Sequence, residues 1–132
     1  MDSVEARRRK IVMAKEFGFY GKMARAEVIA ELESLRNCTP QEFEDRILNY
    51  LQRGKQIVAV AGLASDALSG DIIGPPNIFS DGEWTWTSEA IYYVKRYHVR
   101  VPEEFVRQMQ GNNWEPPQVL DPKAMVANSW VT

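Results

Sequence analysis

The stretch "SDGEWTWTSEAIYYVKRYHVRVPEEF", residues 80–105, decides how this chain is read. Ser80-Asp81-Gly82 is a turn signal, and the Asp-Gly pair suits a tight reversal between two extended pieces. Trp84 and Trp86, one residue apart, place both rings on one face of a strand. Thr87 or Ser88 then caps a helix over 87–99, with Glu89 at its positive end. Pro102 opens a shorter helix over 101–111, and Gly111 ends it. A strand running straight into two helices points to an α+β fold.

Working outward gives the rest. "KQIVAVAG" (55–62) is short, apolar and β-branched, hence a buried strand; continuation of the preceding helix is the competing reading. "IFSDGEWTW" (78–86) reads as a hairpin with its turn near Ser80–Gly82. "LASDALSGD" (63–71) reads as a turn or one helical turn, and Ile72–Ile73 as another extended piece. Upstream, "MARAEVIAELESLR" (23–36) carries Val28, Ile29, Leu32 and Leu35 on one helical stripe. "TPQEFEDRILNYLQRG" (39–54) is a helix with Thr39 as cap, Pro40 in the first turn and Glu42 completing a capping box. Its inner stripe is Phe43, Ile47, Leu48 and Leu51, and Gly54 is a left-handed terminator. Residues 3–16 also read as helical.

The expectation is one compact α+β domain over 1–132: a helix and link over 1–22, a core over 23–111, and an irregular tail over 112–132. It holds four or five helices and a small antiparallel sheet. The 132 residues, 45% hydrophobic and 26% charged, suit a single globular domain.

Composition also narrows the chemistry. No apolar run is long enough for a membrane span. The N-terminus lacks the apolar run of a secretory signal. One cysteine, Cys38, fits a reducing compartment, so a cytoplasmic protein is expected. Residues 1–36 hold eight basic and six acidic residues, and 37–132 hold eight and twelve. Only Arg7–Lys10 cluster as cations, so no nucleic acid is expected as a partner. With one His and one Cys, neither structural zinc nor a multi-histidine catalytic zinc is possible. A nucleophilic triad would have to use His98, whose place at a helix end is structural. No P-loop or G-x-G-x-x-G occurs. Neither a metal nor a cofactor is expected.

The carboxylates Asp66 and Asp71 flank one loop, and Asp81 and Glu83 flank the Asp-Gly turn. Such loops could supply oxygen ligands for Ca²⁺ or Mg²⁺, but no EF-hand spacing occurs, and Asp in turns usually bonds its own backbone. The aromatics first supply a core layer: Ile91, Val94 and Tyr97 on one helix, Phe105, Val106 and Met109 on the next. Nine aromatics in the last 54 residues nonetheless exceed what a thin core needs. Tyr and Trp are enriched in interface hot spots. Some of Trp84, Tyr92, Tyr93 and Trp114 are therefore expected to face a partner.

The order "SDGEWTW" followed by "YYVKRYHVRVPEEF" resembles a group of short bacterial proteins of unassigned function. In that group Asp-Gly-x-Trp-x-Trp precedes a Tyr-Tyr-Val helix and a Pro-Glu-Glu-Phe-like helix. The matching positions are Asp81, Gly82, Trp84, Trp86, Tyr92, Tyr93, Val94, Pro102 and Phe105. The likeness covers about residues 50–107 and implies no catalytic residue. Small acidic bacterial proteins of this kind are often immunity proteins that block a toxin domain. By that analogy the chain is a non-enzymatic protein-binding module with a cognate toxin as partner. Asp66, Asp71, Asp81, Glu83, Trp84 and Tyr92 are then the partner-binding candidates. A structural or adaptor subunit is the alternative, and a small carboxylate-based enzyme a distant third.

Overall fold

The computed structural model describes residues 15–118. The Arg7–Lys10 cluster, the end of the tail and most of the helix expected over 3–16 lie outside them. Four helices are described: α1 (Arg25–Leu35), α2 (Glu44–Arg53), α3 (Ser88–Tyr97) and α4 (Glu103–Gly111). Six strands accompany them: β1 (Lys15–Phe17), β2 (Lys55–Val58), β3 (Ala64–Ser65), β4 (Ile72–Gly74), β5 (Ile78–Ser80) and β6 (Trp84–Thr87). A single 3-10 turn spans Tyr20–Lys22. The fold is α+β.

The main sheet has the order β1-β6-β5-β2, and β3 and β4 form a separate antiparallel hairpin. The β5–β6 hairpin turns over residues 81–83, with Phe79 opposite Trp86 and Ser80 opposite Thr85. The sheet is mixed rather than antiparallel. β1 runs parallel to β6, pairing Lys15 with Trp84 and Phe17 with Trp86. This also corrects the end of the helix expected over 3–16: Lys15 and Glu16 are strand. Their partner lies about seventy residues downstream, so no local period could show the pairing.

β6 is covered on both faces, and all four of its residues are buried. Trp84 and Trp86 both meet Phe105 of α4, Trp84 stacking on it at 4.4 Å between ring centroids. Thr87 ties the sheet to α3: its hydroxyl donates to Gly18 O at 2.5 Å and accepts from Ala90 N at 3.2 Å, capping the helix. Gly18 has a left-handed φ of 81°, and a Cβ there would stand 2.3 Å from the Ala90 Cβ. β1 can approach α3 this closely only with glycine at that point.

The helices begin and end differently from the sequence signals. α2 starts at Glu44, not after Thr39, because Phe43 adopts a left-handed φ of 62°. Thr39 bonds the Asn37 side chain instead. Glu44 turns inward to accept from Gln41 and to contact His98 Nδ1 at 2.7 Å. Gln41 in turn clasps Val99 O and Val101 N, closing the link between α3 and α4. His98 terminates α3 in the left-handed region, φ 54°. Gly54 is extended, not left-handed. Its role is space: a Cβ would lie 2.2 Å from Trp86 Cζ2. That indole donates from Nε1 to Leu51 O at 2.9 Å.

The core lies where the sheet, α2, α3 and α4 meet, around Ile47, Tyr50, Leu51, Trp86, Val94, Phe105 and Met109. Val28 and Leu32 bury the inner face of α1. The buried stripe of α3 is Ala90, Tyr93 and Val94, whereas Ile91 and Tyr97 are half-buried.

Candidate functional site

The six candidate residues fall into two groups, with no hydrogen bond or ion pair between the groups among the described residues. The first group forms around Asp66, between β3 and β4. The chain must reverse here, and Asp66 organises the reversal. Its N–H donates to Asp71 O at 2.7 Å, and its carbonyl accepts from Gly70 N at 2.8 Å. Oδ1 accepts from the Leu68 and Ser69 amides at 2.8 and 3.2 Å. Oδ2 accepts from the Tyr92 and Tyr97 hydroxyls, each at 2.7 Å, and from Arg96 Nη1 at 3.1 Å. Asp66 is thus 1% exposed and fully bonded.

Burial alone would push the Asp66 carboxyl up. The bonds from Tyr97, Tyr92 and the Leu68 amide outweigh that and hold it at about 2. Arg96 also grips the exposed Asp71 at 2.9 Å, and this contact holds the Asp71 carboxyl below the usual range. Tyr93 completes the anchorage by accepting the Ala67 N–H at 2.9 Å. Tyr92, Arg96 and Tyr97 reach the loop together because they lie one turn apart on α3.

The second group surrounds the β5–β6 turn. Asp81 is buried, and its Oδ1 accepts from the Glu83 and Trp84 amides at 2.9 and 2.8 Å. Its Oδ2 accepts the Tyr50 hydroxyl. That hydroxyl accepts from Asn112 Nδ2 at 2.9 Å, so turn, α2 and the end of α4 are joined. Trp84 is buried beneath Lys15, whose ammonium sits 5.7 Å above the ring. Glu83 alone in this group is exposed.

Chemically, both aspartates spend their oxygens on the protein itself. Each pins a turn to a helix: Asp66 takes five donors, and the buried Asp81 takes three. Among the described residues no group of three or more His, Cys, Asp or Glu could hold a metal ion. Cys38 is exposed. Tyr93 and Trp84 are buried, whereas Tyr92 and Trp114 keep part of their surface accessible, Trp114 resting against Phe43.

Sequence reasoning missed Arg96, Tyr97 and Tyr50, the groups that engage the two aspartates. The Tyr92–Arg96 spacing of four on one helix was the available signal. It also missed that the Asp66 hairpin ends in apolar side chains. Leu63 and Ile72 flank it and are 65% and 67% exposed.

No protein-family model, curated protein or solved structure matches the chain. Among the described residues no helix is long and apolar enough to cross a membrane.

Proposed function

We propose that the chain is a non-catalytic protein-binding module, most concretely an immunity protein that binds a bacterial toxin domain and covers its active site. The observation that carries this reading is the β3–β4 hairpin. Seven hydrogen bonds to Asp66, four of them on main-chain groups or amides of the loop itself, hold it rigid against α3. Yet the hairpin offers Leu63 and Ile72 to solvent beside the carboxylate of Asp71. Isolated exposed aliphatics need no explanation, but two on one pre-organised loop suit a docking surface that loses little entropy on binding. The carboxylates of Asp71 and Glu83 favour a basic partner and speed its association.

The test is co-expression with a toxin domain encoded beside this chain. Growth is expected to be restored by the native chain. It is lost when Leu63→Asp and Ile72→Asp are combined, with the thermal melt of the purified variant unchanged. Undiminished rescue by the double variant moves the interface elsewhere. Absence of any toxicity to rescue, together with recovery in a stable multi-subunit assembly, makes the chain an adaptor instead.

A further inference from the structure

A cavity of about 430 Å³ opens between the Tyr20 turn, the start of α1, the β3–β4 hairpin and the first turn of α3. Its size falls within the roughly 300–1,000 Å³ of small-ligand pockets. Met23 and Val28 give it apolar wall, and Tyr20, Asp66, Glu89 and Tyr93 give it polar wall. The Tyr20 and Tyr93 rings meet edge-on at 5.2 Å between centroids.

Glu89 is the anomaly. It is 8% exposed, yet no hydrogen bond or ion pair reaches its carboxylate among the described residues. Burial pushes the carboxyl above its usual range. A buried carboxylate without donors is costly, and native structures rarely keep one without cause. Its place in the first turn of α3 favours the charge, but Thr87 supplies the cap and no donor among the described residues reaches the carboxylate itself. The buried Tyr20 hydroxyl is also without a hydrogen-bond partner among the described residues.

The charges around the cavity decide what would satisfy them. Glu89 and Asp66 line it, and Glu31 lies close enough to act on Tyr20. Among the described residues Arg25 is the cation that borders it, and it makes no ion pair with Glu89. Asp66 contributes field but no free acceptor, since Tyr92, Tyr97 and Arg96 occupy it. The cavity therefore offers negative charge, one open carboxylate, one open hydroxyl and an apolar wall.

We propose that this cavity binds an alkylammonium or alkylguanidinium group, with Glu89 as its charge partner and Tyr20 Oη as a second acceptor. The stem lies along Met23 and Val28. Such a group comes either as a free small amine or as the Lys or Arg side chain of a bound protein. The site is testable without any partner, so its failure is separate from failure of the binding-module reading.

The experiment is a titration of the full ¹⁵N-labelled chain followed by amide chemical shifts. The probes are n-butylammonium, n-propylguanidinium, a hexapeptide with one central Lys, and n-butanol as the neutral control. Saturable shifts around Tyr20 and Glu89 are expected with the cations and not with n-butanol. Glu89→Gln is expected to weaken binding by about tenfold or more, and Tyr20→Phe by less. Saturation by the free cations marks a small-molecule site, and saturation by the peptide alone marks a pocket for a partner's side chain. The proposal is overturned if no cation saturates, if n-butanol binds as well, or if a natively folded Glu89→Gln variant keeps its affinity.

Discussion

The Tyr50 hydroxyl donates to Asp81 Oδ2 at 2.5 Å, and through this bond α2 holds the turn that aligns β5 with β6. Burial, with the Asp81 carboxylate beside it, pushes the Tyr50 phenol up, so it stays a donor throughout the working pH range. Tyr50→Phe keeps the ring and removes the donor, leaving a buried carboxylate short of one partner. The expected loss is about 1–3 kcal/mol, measured as a lower urea midpoint at unchanged slope. A midpoint within error of the native one would show that the turn holds without α2.

Phe105 is the ring on which the aromatic core converges. Phe17, Tyr50, Trp84 and Trp86 all lie against it, with centroids between 4.4 and 6.3 Å. Phe105→Ala is expected to cost about 3–5 kcal/mol, at the upper end for a core truncation. Phe105→Leu is expected to cost less than half of that. Equal losses in the two variants would mean that ring stacking, not volume, carries the contribution.

Asp66 makes stability depend on pH in a fixed direction. Its carboxyl sits at about 2 in the fold against an ordinary 3.8, so the unfolded chain takes up the proton first. The stabilisation is complete above the ordinary value and is lost as pH falls through about 2. It amounts to about 2 kcal/mol. Asp71, lowered by Arg96, acts in the same direction. Glu89 acts oppositely: its raised carboxyl stabilises the fold at low pH, and that contribution fades as pH rises through its folded value. Asp66→Asn is expected to lower stability near neutrality and to flatten the acid limb. Urea midpoints of both proteins from pH 7 to pH 2.5 check this; parallel curves would remove Asp66 from the acid response.

The parts of the fold that were legible are those where local chemistry is enforced locally. Asp81 bonds amides two and three residues on, so the β5–β6 turn followed from Asp-Gly and two flanking apolar runs. Thr87 caps α3 as its residue type suggests. What stayed hidden depends on distant partners. β1 is a strand only because β6 offers it an edge. α2 starts late because Gln41 and Glu44 are drawn into the α3–α4 link, a pull from nearly sixty residues away that outweighs the Thr39 signal. At the candidate site, the grouping of Asp66, Asp71 and Tyr92 needed the hairpin to fold back on α3. The burial of Asp66, Asp81 and Trp84 could not be read from their spacing.

Gly54 and Gly111 put the same substitution in opposite settings. Gly54 follows α2 with an ordinary negative φ of −60°, so an alanine would suffer no backbone strain there. The obstacle is packing: its Cβ would fall 2.2 Å from Trp86 Cζ2 and 2.9 Å from Cη2. Trp86 cannot easily retreat, because its Nε1 is bonded to Leu51 O and its ring is fully buried. Overpacking of this kind costs about 1–3 kcal/mol. Gly111 closes α4, and nothing lies within 4 Å of where its Cβ would stand. Alanine there gains helix propensity and restricts the unfolded chain, worth up to about 1 kcal/mol. Gly54→Ala is therefore expected to lower the urea midpoint and to shift the Trp86 indole N–H resonance. Gly111→Ala is expected to leave that resonance in place and to raise the midpoint slightly. If Gly54→Ala proves neutral with the indole signal unmoved, Trp86 does not pack on the end of α2 in solution.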